Sequence, residues 1–191
     1  MMIDIRMARS ERDLKGIKTL CSENHFSKLS DKELNTQGFI TINYSLDELK
    51  ALHEIAASVI ALDNQKVVGY ALVANKESLG IHHMLDDLIR FIEHTTYQSI
   101  SFRNSRYIVV GQLCVSKAYR RQKIAQRIYE KFQQIYGNDY HYCITSVDIK
   151  NQGSIKAHLM RGFKEIQTTT YQCKSYSVIL WDWTESTDTM V

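Results

Sequence analysis

Residues 107–132 read YIVVGQLCVSKAYRRQKIAQRIYEKF. The first nine are largely apolar and make a buried strand. From Ile124 onward the apolar residues fall at Ile124, Ile128, Tyr129 and Phe132, one face of an amphipathic helix. A short basic turn joins the two. Such a strand–turn–helix aims free backbone N–H groups and the positive end of a helix dipole at whatever lies above the turn. Arg120, Arg121 and Lys123 sit in the turn itself. A phosphate-bearing ligand is the natural occupant.

Downstream, the pattern continues with a strand over about 141–148, a short helix over 153–160, and two strands over about 163–171 and 175–183. Residues 184–191 read as a frayed C-terminal tail. Upstream, 3–7 is a short strand, and Ser10 with Asp13 opens a helix to about Cys21. Residues 22–41 are polar and read as irregular, with Phe26 and Phe39 as apolar anchors. Ser45 and Glu48 form a capping box for a helix through about Ala56, and 58–62 and 67–73 are strands joined by a hairpin loop at 63–66. An apolar stripe of Ile81, Met84, Leu85, Leu88 and Ile92 then predicts an extra helix within 80–97.

Strands first, then strand–helix–strand–helix–strand, predict an α/β (α+β) fold: a mixed, mostly antiparallel sheet of about seven strands with helices on both faces. The extra helix stands between the third and fourth strands, in an insertion over about 76–105. One domain over 1–183 is expected.

Arg120-Arg121-Gln122-Lys123-Ile124-Ala125 resembles the acyl-CoA turn of the GNAT superfamily of N-acetyltransferases at its first and last places, with Lys123 where that pattern has glycine. A second block, from Asn151 to Glu165, resembles the same superfamily's downstream motif: an Asn after a strand, a short helix, then Gly162-Phe163 opening the next strand. The resemblance implies that acetyl-CoA is the co-substrate. Backbone groups of Leu113, Cys114 and Val115 would pair with its pantetheine arm. Arg120 and Gln122 belong to the same turn, and the amides from Arg121 to Ala125, those of Lys123 and Ile124 among them, would cradle the pyrophosphate. Asn151, with Ser154 beside it, falls where the family hydrogen-bonds the arm. If the turn keeps helical angles at Lys123 the amide still donates and the ammonium adds a contact; otherwise cofactor affinity falls.

The resemblance places His158 where a Tyr often protonates the thiolate, although a helix His that caps a carbonyl is the alternative reading. Tyr171 is a second acid. Gln112 is the polar residue nearest the family's usual base and would orient a water or the amine, and Asp148 is the ionisable alternative. The expected activity is acetyl transfer to a primary amine of a small molecule by direct attack. The acceptor site would be walled by about 22–44, with Phe26, Phe39, Tyr44, Asp31 and Glu33, and by the inserted helix. Two rivals stand beside it: a non-catalytic acyl-CoA sensor, and an interaction domain that dimerises through the inserted helix.

Composition excludes several other classes. A net charge of +3, spread along the chain, argues against nucleic acid, and no segment reaches the roughly 20 apolar residues of a membrane span. Four cysteines without CxxC spacing read as core thiols of a reducing, cytoplasmic protein. Cys114 as a nucleophile is disfavoured, because strand thiols are usually inert. His82, His83, Asp86, Asp87 and His94 include i,i+4 pairs that a metal can use, but they read as a solvated helix surface, and no metal is expected.

Overall fold

A computed structural model describes residues 3–184. Seven strands form one sheet: β1 (Ile3–Met7), β2 (Val59–Asp63), β3 (Lys66–Ala74), β6 (Tyr107–Val115), β7 (Tyr142–Asp148), β9 (Lys174–Asp182) and β8 (Lys164–Tyr171), in that spatial order. Every neighbouring pair is antiparallel except β6 and β7. The expected mixed, mostly antiparallel sheet is therefore present. Of the tail expected over 184–191, all but Thr184 lies outside the described residues.

Period-2 alternation sorts the strands into two cores. Ile60, Leu62, Tyr70, Leu72, Val109, Ile144, Val178 and Leu180 face α1 (Glu11–Asn24), α3 (Leu46–Ile55) and α4 (His83–Glu93). Val59, Ala61, Val68, Val73, Ile108, Val110, Cys143 and Ile179 face α5 (Ile124–Tyr136) and α6 (Gln152–Leu159).

One segment differs from the sequence reading, and another adds a hairpin to it. The stretch expected to be irregular holds the end of α1, which runs to Asn24, and a further helix, α2 (Asp31–Thr36). Ser30 and Glu33 make a reciprocal capping box that starts α2 without any apolar stripe, and the stripe was the signal sought. The inserted helix lies within 80–97 as expected and stops at Glu93. There the Thr95 hydroxyl donates to the Phe91 carbonyl (2.9 Å), and His94 Nδ1 bonds the Arg90 carbonyl (2.7 Å). A small hairpin of β4 (Thr96–Tyr97) and β5 (Ile100–Ser101) follows, turned by Gln98 and Ser99 at φ 47° and 68°. Phe102, fully buried, anchors it between Tyr107 and Tyr142.

The feature that positions the site is a splay. β6 and β7 pair only at Tyr107↔Tyr142, Ile108↔Cys143 and Val109↔Ile144, though both strands continue well beyond. Against β3 the register slips from Val73↔Val110 to Leu72↔Gln112, so Gly111 is the extra residue of a bulge. A bulge bends its strand. β6 turns away from β7 at this point, and the Thr145 hydroxyl reaches the Val110 carbonyl (2.7 Å) at the apex.

Candidate active site

The turn before α5 is strained and open. Lys123 adopts φ 59°, ψ 16°, the left-handed conformation of the glycine it replaces, and Arg121 takes φ 63°. Each such residue costs about 1–2 kcal/mol. Gln122 between them keeps an ordinary φ, and such alternation gathers successive N–H groups into an anion-binding concavity. No side chain caps α5, and Arg127 N–H donates to the Lys123 carbonyl at 3.0 Å, so the amides of the first turn point outward.

A cleft of about 600 Å³ lies over this turn. Leu113, Cys114 and Val115 form one wall, Phe39 and Ile40 the other, and Ala125, Ser154 and Ala157 the helical flanks. Arg121, Lys123, Lys156 and Arg161 also line it, and among the described residues no carboxylate does. That charge balance favours an anionic ligand. Tyr129, 1% exposed, also borders the cleft with a hydroxyl that has no hydrogen-bond partner among the described residues. A buried orphan hydroxyl costs about 1–3 kcal/mol, which a bound ligand would offset. Sequence reading passed over Tyr129 as a core aromatic. The Cys114 thiol is buried and pushed up to about 12 by that burial, which keeps it protonated.

Several expected roles need correction. Arg120 lines the cleft, but its guanidinium is committed to protein acceptors, donating to the Val115 carbonyl (3.1 Å), Gln37 Oε1 (2.7 Å) and Asn24 Oδ1 (2.9 Å). It ties the turn to the end of α1. Gln122 folds back on the Ala118 carbonyl (3.1 Å) and does not line the cleft. Asn151 caps α6 through Ser154 N–H (3.2 Å) and donates to the Phe39 carbonyl (2.8 Å), so its amide is already engaged. Gln112 accepts from the Tyr70 hydroxyl and donates to the Ile42 carbonyl (2.8 Å), bonds that fix the orientation of its amide. His158 is 3% exposed and packed against Tyr129 and Phe163, with Nδ1 on the Ser154 carbonyl at 2.7 Å. Burial holds its pKa down to about 4, so the imidazole is neutral near pH 7, which disfavours it as the acid. The carbonyl-capping reading is the one found. Tyr171 lies away from the cleft, between the β8–β9 hairpin and α4.

The expected acceptor walls are also partly reassigned. Tyr44 is fully buried in the core, and Glu33 is paired with Lys117, which holds its carboxyl well below the usual range. The residues of α4 with metal-ligand spacing serve its ends: His82 Nδ1 accepts from Met84 N–H (3.2 Å), and Asp86 Oδ1 from Gly80 N–H (2.9 Å). Among the described residues no group of three or more His, Cys, Asp or Glu could hold a metal.

Through the splay a narrow polar passage of about 60 Å³ continues from the cleft, sharing Leu113, Phe39, Ile40 and Ser154 with it. Thr145, Ser146 and Asp148 line its far side. Alternation along β7 turns Val147 to the α5 core and leaves Ser146 and Asp148 on the face of α4. Asp148 is 7% exposed; its Oδ1 accepts from Lys150 N–H (2.8 Å), and Oδ2 has no partner among the described residues. Ser146 is shared in turn with a third space, of about 420 Å³, under α4. The cleft over α5 and the space under α4 thus approach each other through the splay.

The sequence profile of the acetyltransferase (GNAT) family matches residues 24–163, most of the chain. The chain belongs to that family. Solved structures of similar fold include Ard1 from Thermoplasma volcanium, at 12% identity and TM-score 0.66 over 95% of this chain and 98% of that one. yncA of Salmonella typhimurium, solved with its cofactor acetyl-CoA, aligns at 13% identity and TM-score 0.63 over 96% and 95%. The ribosomal-protein-S18-alanine N-acetyltransferase of Escherichia coli aligns at 12% and 0.63 over 100% and 99%. At such identities the likeness is one of fold. No curated protein matches the chain. Among the described residues, no helix of this GNAT protein is long and apolar enough to cross a membrane.

Proposed function

We propose that this GNAT protein is an acetyl-CoA-dependent N-acetyltransferase whose acceptor is a primary amine of a small molecule. The observation that carries the acceptor size is the small volume, about 60 Å³, that joins the cleft to the space under α4. The segment 39–42, which lines it, is bonded down by Asn151 and Gln112. A polypeptide acceptor needs a groove open at both ends, and a joint this small suits a slender amine.

Acetyl-CoA supplies an activated acyl group; the protein has to hold it and manage one proton. The outward amides of α5, with Arg121 and Lys123, suit its pyrophosphate. The stretch Leu113–Val115, released from β7 by the splay, offers backbone groups to the pantetheine arm. Asp148, not Gln112, is the group able to take the proton of the incoming ammonium, since its free oxygen lies on the acceptor side. All four cysteines are free, three of them buried, which fits a reducing compartment such as the cytoplasm.

Isothermal titration of acetyl-CoA should show one saturable site per chain, and adding a primary amine should release free thiol. Asp148→Asn should lower kcat by about 100-fold, the lower end of general-base effects, with acetyl-CoA binding unchanged. No binding at millimolar cofactor would overturn the reading. Faster transfer to a free peptide N-terminus than to every small amine would overturn the acceptor assignment.

A further inference from the structure

We infer that the space between α4 and the β8–β9 hairpin seats the body of the acceptor, and that the acceptor is a primary amine carrying a flat apolar or aromatic body on a slender, unbranched arm. The inference rests on the transferase reading above and adds to it the class of amine.

The amphipathic pattern of α4 has two apolar rows, not one. Leu85, Ile89 and Ile92 are buried in the core beneath the helix. Met84, Leu88 and Phe91, at i, i+4 and i+7, form the second row: they pack on the edge of that core and remain only half-buried, with their other side on an open gap. They face Thr169 and Tyr171 of β8 and Tyr176 of β9 across the gap of about 420 Å³. That volume lies within the roughly 300–1,000 Å³ of small-molecule pockets. Two apolar side chains and three aromatic rings around such a gap suit a flat apolar body.

The gap also leads to the chemistry. Ser146 lines both it and the passage, and Tyr176 is the cross-strand partner of Asp148. Burial, and after it that carboxylate, raises the Tyr176 pKa. An ammonium entering under α4 would therefore reach Asp148 as its body settles between Phe91, Tyr171 and Tyr176. The passage beyond, about 60 Å³ with Thr145 and Ser146 on one side and Ile40 and Thr41 on the other, leaves no room for a branch beside the nitrogen. Asp87 and Arg90, which also line the gap, offer one charge of each sign, so selection falls to shape and apolar contact rather than net charge.

The test compares 2-phenylethylamine, which has arm and body, with 1,4-diaminobutane, which has the arm alone. Saturating acetyl-CoA is used and thiol release is followed. A kcat/KM at least about tenfold higher for 2-phenylethylamine is expected, the worth of one apolar body in a matching pocket. Thr169→Trp, which fills the gap, should raise the KM for 2-phenylethylamine about tenfold or more and leave acetyl-CoA titration unchanged. Phe91→Ala, which widens the gap, should erode the preference between the two amines. Equal kcat/KM for both amines, or a folded Thr169→Trp with unaltered KM, would overturn the inference while leaving the transferase reading intact. Direct titration of 2-phenylethylamine separates the two further. Saturable binding lost in Thr169→Trp supports the seat even where acetyl-CoA fails to bind, and no binding to the wild type overturns it.

Discussion

The N-termini of α3 and α5 are opposites. At α3 the Ser45 hydroxyl accepts from Glu48 N–H (3.2 Å) and the Glu48 carboxylate accepts from Ser45 N–H (2.6 Å), closing the helix end on itself. α6 is closed similarly by Asn151. At α5 nothing closes the end, and Arg121 and Lys123 are held in a left-handed conformation that L side chains resist. The comparison teaches that a chain able to cap its helices well leaves one end open and strained. Strain of this kind persists where surrounding structure enforces it and where the open amides have a use.

Four substitutions or conditions break or sharpen that contrast. Ala125→Glu places a carboxylate in the open end. Unit charges 4 Å apart at an effective dielectric of 20 interact by about 4 kcal/mol, so acetyl-CoA affinity should fall about a thousandfold by calorimetry, with the fold kept. Retained affinity in a folded variant would show that the open end is not a phosphate site.

The second concerns α6, where His158 is bonded to Ser154 within the closed helix. Its pKa is about 4 in the folded chain against 6.5 for an ordinary imidazole. Between those values the unfolded chain binds a proton that the folded chain refuses. Stability should therefore fall as pH drops from 6.5 to 4, by up to about 3 kcal/mol. Urea denaturation at pH 7 and pH 4.5 measures this, and His158→Phe should remove most of the difference. The same variant should leave the pH–rate profile near neutrality unmoved, since a neutral imidazole is not the acid.

Ser45→Ala opens the closed end of α3. It should cost about 1 kcal/mol of stability without altering cofactor binding. Lys123→Gly relaxes the open end of α5. Stability should rise by up to about 1 kcal/mol, because glycine adopts φ near 59° freely but also loses more entropy on folding. A fall in stability would mean that the lysine side chain holds the turn.

Much of this was legible in the chain itself. The apolar run of 107–115, the stripe from Ile124 to Phe132, the Ser45–Glu48 box and the Gly162-Phe163 junction are local signals. Each element they imply is present. α2 escaped because its start is a cap with no stripe behind it. The Gly111 bulge escaped because it exists only against β3.

The side-chain roles were less legible, and the reason is sequence distance. Gln112 meets Ile42 across 70 positions and Arg120 meets Asn24 across 96, so neither commitment leaves a trace near the residue. His158 shows the same limit from another side: its spacing fits a catalytic helix position, but burial against Tyr129 and Phe163 decides its charge.

By itself, then, the sequence determined the strand–turn–helix, the basic turn and the family, because these rest on periodicity and on neighbours along the chain. Tertiary structure alone decided that β6 leaves β7 at Val109, that Asp148 Oδ1 caps Lys150 N–H, and that Lys174 sits over the Phe26 ring. Those outcomes depend on which distant groups reach a polar atom first, and only the folded chain brings such groups together.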